Sequence, residues 1–329
     1  MYSSKIDRLI TQPYRLWVRL MVSVVLLLLP FGAAYLDGIW DEFLREGHWR
    51  VASLAPVIIL YIWFIAPTMS RGQAGVARSI RPLVPLDDEA FEQLVAQAPG
   101  IEARHEWTTV LIGALLGLLS AGASEFDGSI TWLLIYWYAA MAGMYALLAW
   151  VILGAIASTR LNAAYHRQPL QVDILDPKPL EAVGRQSLML ALVFIGGITF
   201  SMLLTLQSDN IGSPVFWLTY LLMVLAVLLI FFLNMRPTHR LLAESKRREL
   251  EPLERRINEL CRELMRGGEG GQNPGSLPAE INALVAYEAR LQTARTWPYN
   301  TGMLRTLFFS VFIPIGSLMA RLLAEVVMG

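Results

Sequence analysis

Residues 215–234 read VFWLTYLLMVLAVLLIFFLN, twenty consecutive positions without a charge, a glycine or a proline. A helix rises 1.5 Å per residue, so this run covers the ~30 Å of hydrocarbon in a bilayer. It offers no polar face to water, and a soluble domain has no place for an exposed helix that is apolar all round. The run therefore reads as a membrane span, and that reading sets the fold class for the rest of the chain.

Composition agrees. The 329 residues are 55% hydrophobic and 16% charged, with a mean hydropathy of +0.47, more apolar than a soluble domain of this size needs for its core. Six further runs have the length and polarity of spans: 17–36, 51–69, 108–124, 130–158, 187–207 and 304–327. The third is short and glycine-rich, and the seventh contains Pro314 and two charges near its far end. The expectation is an all-α, polytopic integral membrane protein with about seven transmembrane helices. The FGAA at 31–34 has the look of a signal-cleavage site after Lys5, Arg8 and Arg15. The 17–36 run is nevertheless long enough to span, which favours a retained helix.

Net charge is zero, but its distribution is uneven. Lys and Arg number three in residues 1–16, four in 70–107, four in 159–186 and eleven in 235–303. The alternate loops, 37–50, 125–129 and 208–214, hold only Arg45 and Arg50, against seven acidic residues that include Asp37, Glu42 and Glu46. The excess of Lys and Arg on cytoplasmic loops then predicts a cytoplasmic N-terminus and an outside C-terminus, in a multi-pass protein of the cell (inner) membrane. The chain divides accordingly into a six-helix transmembrane region (1–234), a cytoplasmic helical hairpin (235–303) and a seventh transmembrane helix (304–329).

The hairpin is read from leucine spacing. Leu250, Leu253, Ile257, Leu260 and Leu264 recur at threes and fours in a charged segment, with Glu244/Arg248 and Glu251/Arg255 placed to pair along the helix. GGEGGQNPGS (267–276) breaks it, and Pro278 opens a second helix carrying Ile281, Leu284, Val285 and Leu291. Elsewhere on this side, Phe91, Leu94 and Val95 predict a short amphipathic helix after an acidic start at Asp87. Pro177 and Pro179 in DILDPKPL (173–180) predict an extended return to the membrane. Gly113, Gly117 and Ala121 in the third span, Ala139 and Gly143 in the fourth, and Gly197 and Ser201 in the fifth have the spacing that lets helices approach closely.

Chemistry is sparse. His48, His105, His166 and His239 fall in four different loops, the single cysteine is Cys261, and no nucleophile, zinc or phosphate-loop motif is present. We therefore expect no enzyme activity, no cofactor and no metal site. The basic run around Lys246 is interleaved with glutamates, which argues against nucleic acid as a partner. The expected partners are the lipid bilayer, a second copy of the chain and a cytosolic protein.

Two features rise above packing. Thr306, Ser310, Pro314, Ser317, Arg321 and Glu325 repeat at threes and fours and form one polar stripe on the last helix. Such a stripe faces protein or water rather than lipid: either it packs inside the bundle, or it lines a polar path within a monomer or around an oligomer axis. Just before it, TWPYNTGMLRTL (296–307) forms a corner at the cytoplasmic interface. Pro298 ends the preceding helix, Trp297 and Tyr299 anchor at headgroup depth, Asn300 or Thr301 caps the incoming helix, and Arg305 snorkels back to the same surface.

The residues Thr296, Trp297, Pro298, Tyr299 and Asn300, with Asp173 to Leu180 as a second point of likeness, resemble a group of bacterial multi-span membrane proteins of uncharacterised activity. In that group a Thr-Trp-Pro-aromatic-Asp/Asn step precedes the last helix. The resemblance implies no activity. Two functions stay open: an oligomeric channel-like or transport-like assembly whose last helix lines a polar path, or a non-transporting sensor or scaffold that presents the hairpin to a partner.

Overall fold

The computed structural model describes residues 10, 16–97, 103–122, 131–168, 170, 173–176, 178–205, 214–265, 277–312 and 316. Among them every regular element is helical: α1 (Leu16–Leu36), α2 (Trp40–Arg45), α3 (His48–Ala52), α4 (Leu54–Ile80), α5 (Asp88–Gln97), α6 (Ala103–Gly122), α7 (Trp132–His166), α8 (Lys178–Thr205), α9 (Pro214–Met265), α10 (Leu277–Thr293) and α11 (Thr301–Phe312). Five stretches are long and apolar enough to cross a membrane: Trp17–Leu36, His48–Leu83, Trp132–Tyr165, Lys178–Thr205 and Pro214–Met265. They coincide with five of the seven runs read from the sequence. The third run is α6, whose first turn carries charge, and the seventh is described only as α11.

The helices alternate in direction. The Tyr136 hydroxyl donates to the carbonyl of Ala52, just ahead of α4 (2.6 Å), and further along Met69 and Val151 share a core cluster, so α4 and α7 run parallel. The Tyr61 hydroxyl donates to the Val193 carbonyl (3.0 Å) while Gly72 lies against Gln186, so α8 runs back along α4. Tyr220 meets Ser201 and Thr205, and Phe231 and Met235 meet Ala191 and Ile195, so α9 reverses again. Leucines on the outward faces of α1 and α9, such as Leu28, Leu221 and Leu229, remain exposed, a surface that suits lipid and not water.

Small residues set the contact of α6 with α7. A methyl group at Gly113 would lie 2.6 Å from the Tyr145 carbonyl oxygen and 2.7 Å from Ala149 Cβ, and one at Gly117 would run into the Met141 carbonyl. With Ala121 buried beside them, the face spaced by fours seats α6 directly on the backbone of α7.

The acidic end of the bundle is closed by side-chain caps. Gly38, at φ 73°, lets the Ile39 amide reach the Ala34 carbonyl (3.1 Å) at the end of α1. Asp37 then accepts from the Trp132 and Leu133 amides (2.9 and 2.7 Å), while Thr131 Oγ1 accepts from Leu134 (3.2 Å). One carboxylate thus fastens α1 to the start of α7. Asp37→Ala is expected to lower unfolding stability by about 1–2 kcal/mol, the upper range for a lost N-cap, and Asp37→Asn by less; thermal melting in detergent measures both.

At the opposite end lie the basic segments. The amphipathic helix is α5: the Asp87 side chain accepts from Ala90 (2.8 Å), and the Phe91 ring stacks on the buried Tyr165. At Pro179 the expected extended return before the fifth span does not form, and Pro177 lies outside the described residues. Helix α8 already begins at Lys178 with Pro179 in its first turn, where the missing N–H removes no intrahelical bond. The sixth span and the charged segment after it are one helix of 52 residues, uninterrupted at Pro237 and Pro252. Its distal part packs antiparallel on α10: Arg256 pairs with Glu280, and the Tyr287 hydroxyl donates to Glu249. Leu242, Leu260, Leu277 and Leu291 are buried along this pair. Leu264 and Val285, assigned to the seam from spacing, are exposed instead.

Candidate functional site: the corner before the last helix

The corner is assembled from both sides. Lys246 of α9 donates from Nζ to the carbonyls of Gln292 (2.6 Å) and Ala294 (3.1 Å), satisfying acceptors that the end of α10 leaves open. The chain then turns, and the Thr296 carbonyl meets His239 Nδ1 at 2.9 Å. A carbonyl can only accept, so Nδ1 carries the proton. This bond orients the imidazole flat against Trp297, with ring centroids 3.9 Å apart and planes 9° apart; the Tyr299 ring lies 5.3 Å from Trp297, tilted by 31°.

Pro298 is buried, and its carbonyl approaches α8 at Gly184, where only a residue without Cβ allows the contact. Asn300 Oδ1 accepts from the Met303 amide (2.9 Å) and so caps α11. Of the two candidate caps read from the sequence, Asn300 is the one that bonds. Met303 and Leu307 are buried, and Leu307 joins Phe231, Met235 and Ile195. Trp297 and Tyr299 pack against this same cluster, so protein contacts hold them. Arg305 is exposed, its guanidinium 5.5 Å from the Phe309 ring.

The polar stripe is only partly within the described residues. Thr306 is exposed, and its hydroxyl donates to the Gly302 carbonyl (3.0 Å); Ser310 is half-buried and donates to the Leu307 carbonyl (2.7 Å). Both hydroxyls are satisfied on their own helix, an arrangement stable in lipid as well as in water. The face of α11 that meets the bundle is Met303 and Leu307, so Thr306 does not face an interior path within one chain. Pro314, Ser317, Arg321 and Glu325 lie outside the described residues.

Sequence reasoning missed His239, Lys246 and Gly184, because each acts on a segment far away in the chain and carries no local signature. It also left unremarked four polar side chains buried on α8 and α9 near these positions in sequence: Gln186, Ser187, Asn234 and Thr238. Among the remaining titratable groups, Glu106 is buried and accepts from Trp150 Nε1 (3.1 Å), while its neighbour His105 is exposed. At the other end of the bundle Glu42, Glu46 and His48, all exposed, bring one potential ligand atom each to within 4.8 Å of one another, a grouping common without an ion.

The His239–Trp297 stack makes a quantitative prediction. A double-mutant cycle with His239→Ala and Trp297→Ala is expected to give a coupling of about 0.5–1.5 kcal/mol. Independent effects of the two changes in thermal melts would remove the stack as a fastening.

Comparison with protein-family models, with curated proteins and with solved structures finds no match.

Proposed function

We propose that this protein is a non-enzymatic scaffold or sensor of the inner membrane that presents the paired helices α9 and α10 to a cytosolic protein partner. In this reading seven helices span the bilayer, the N-terminus is cytosolic and the C-terminus lies outside. The observation that carries it is the continuity of α9. Fifty-two residues in one helix are about 78 Å long, more than twice the hydrocarbon thickness. The exposed apolar part sits in lipid, and the remainder projects as an arm braced by α10, whose end is fastened to α9 through Lys246 and His239. A partner seated on the arm would therefore act on a lever continuous with a span.

Topology is read out by the single cysteine, Cys261, which is half-buried near the end of the arm. A membrane-impermeant maleimide is expected to label it in inverted inner-membrane vesicles and to leave it unlabelled in spheroplasts; the reverse pattern overturns the orientation. Function is tested by photo-crosslinking from the exposed Glu254 position in cells. A discrete cytosolic adduct is expected from Glu254 and from Arg236 in the full-length protein, and the Arg236 adduct is expected to disappear when residues 240–290 are deleted while the remainder still inserts. Adducts that persist in the deletion, with the probe moved to Arg236, count against the arm.

The outward-facing Thr306 favours one second reading, the channel-like assembly, with the path formed between copies of the chain. Reconstituted protein would then carry an ion flux that Ser310→Leu and Ser317→Leu diminish. Equal or absent flux in all three proteins removes this reading.

A further inference from the structure

A cleft of about 800 Å³ opens between α4, α5, α7 and the first turn of α6. It exists because small residues face one another: Ala74 and Ala77 on α4, Gly154 and Ala157 on α7. A methyl group built on Gly154 meets no atom within 4 Å. The volume is in the ~300–1,000 Å³ range of small-molecule sites.

Its charged groups come from three of the walls. Glu106, 4% exposed, lies in the wall, held by Trp150 and placed in the first turn of α6 where a carboxylate is favoured. Glu89 and Glu92 of α5 stand at the exposed rim, together with the guanidinium of Arg78 from α4. Three carboxylates and one guanidinium around an apolar trough match a ligand that has an ammonium, a nearby anionic group and an apolar body.

Location narrows the source. His48–Leu83 and Trp132–Tyr165 contain 36 and 34 residues, about 54 and 51 Å of helix against ~30 Å of hydrocarbon. The cleft lies along their C-terminal halves, where both leave the apolar layer on the side of the basic loops. The amphipathic helix α5 forms its outer lip through Phe91 and Val95. The ligand that reaches such a site by lateral diffusion is a lipid of the surrounding leaflet.

We propose that this cleft binds a phospholipid whose headgroup carries a primary ammonium and a phosphodiester. The ammonium sits among Glu106, Glu89 and Glu92, the phosphodiester meets Arg78, and the first carbons of one chain lie along Ala74, Ala77, Gly154 and Ala157. This site is independent of the arm, so neither proposal rests on the other.

The full-length protein in detergent is titrated with dihexanoyl-phosphatidylethanolamine and bound lipid is counted by native mass spectrometry. The comparison ligands are the phosphatidylcholine and phosphatidylglycerol of the same chain length, and hexylamine. Phosphatidylethanolamine is expected to bind at least tenfold tighter than each of them, because choline cannot donate hydrogen bonds, glycerol lacks the ammonium and hexylamine lacks the phosphate. Glu106→Gln keeps an acceptor for Trp150 and is expected to weaken phosphatidylethanolamine about tenfold. Arg78→Gln weakens all three phospholipids, each of which carries the phosphodiester, and leaves hexylamine unchanged. Gly154→Leu fills the cleft and abolishes binding while the melting temperature holds. Equal affinity for all lipids, or hexylamine equal to phosphatidylethanolamine, overturns the assignment, as does binding that survives both Gly154→Leu and Glu106→Gln. Should Gly154→Leu fail to fold, Glu106→Gln decides.

Discussion

Gly117→Leu is expected to separate α6 from α7 and to remove roughly 3 kcal/mol of stability, the upper end of the range for overpacking. The added carbon collides with the Met141 carbonyl, and a carbonyl in mid-helix cannot swing aside as a side-chain tip does. Relief requires α6 to move outward as a unit, which also parts Gly113 from Tyr145 and Ala149 and draws Glu106 away from Trp150. In the seven-span reading lipid offers α6 no hydrophobic penalty for leaving, so dispersion and close backbone contact carry most of its attachment. The measurement is the melting temperature in detergent, with Gly154→Ala as the control. That substitution meets open space and gains helix propensity, so it is expected to be neutral or stabilising. Equal melting of Gly117→Leu and Gly154→Ala would mean that the α6–α7 contact is not close.

The glycine spacing of α6 could be read in advance because it encodes a local requirement: a backbone can approach only where side chains are absent. The same holds for 215–234, whose length without a charge, glycine or proline is itself a local feature, and for Asn300, whose cap needs only the three residues that follow it. The i,i+4 pairs Glu244–Arg248 and Glu251–Arg255 also form as spaced, though exposed pairs of this kind contribute only ~0.3–0.5 kcal/mol each.

What could not be read depends on distant residues. Pro237 and Pro252 each remove one backbone hydrogen bond from α9, and the sequence reading ends the sixth span at residue 234 and starts a separate hairpin at 235. The helix continues because α10 and the corner brace it along its length. Likewise, the periodicity of Thr306 and Ser310 identifies a helix face without saying what it faces. Met303 and Leu307, one position in register away, prove to be the residues that dock. The cleft around Glu106 leaves no trace in any window of sequence, since its walls come from four helices.

Gly184→Val carries the second large effect, because it tests whether the corner holds both the last helix and the arm. A Cβ at Gly184 would run into the Pro298 carbonyl and come within 3.5 Å of Met303 Sδ. Pro298 has no slack: Trp297 before it is stacked on His239, and Asn300 after it is bonded to Met303. The corner must therefore lift from α8 as a block, with an expected loss of roughly 2–3 kcal/mol. Amide exchange is expected to rise at Met303 and Leu307 and also in the last turn of α10, since Lys246 grips the carbonyls of Gln292 and Ala294 within that block. Gly75→Val, an equal change where a Cβ meets nothing within 4 Å, should leave both regions protected. If exchange rises in α11 alone, the corner seats the last helix and the arm is held by its leucines. If it rises in both, motion of the arm and of α11 is a single motion, as a lever running from a cytosolic partner into the membrane requires.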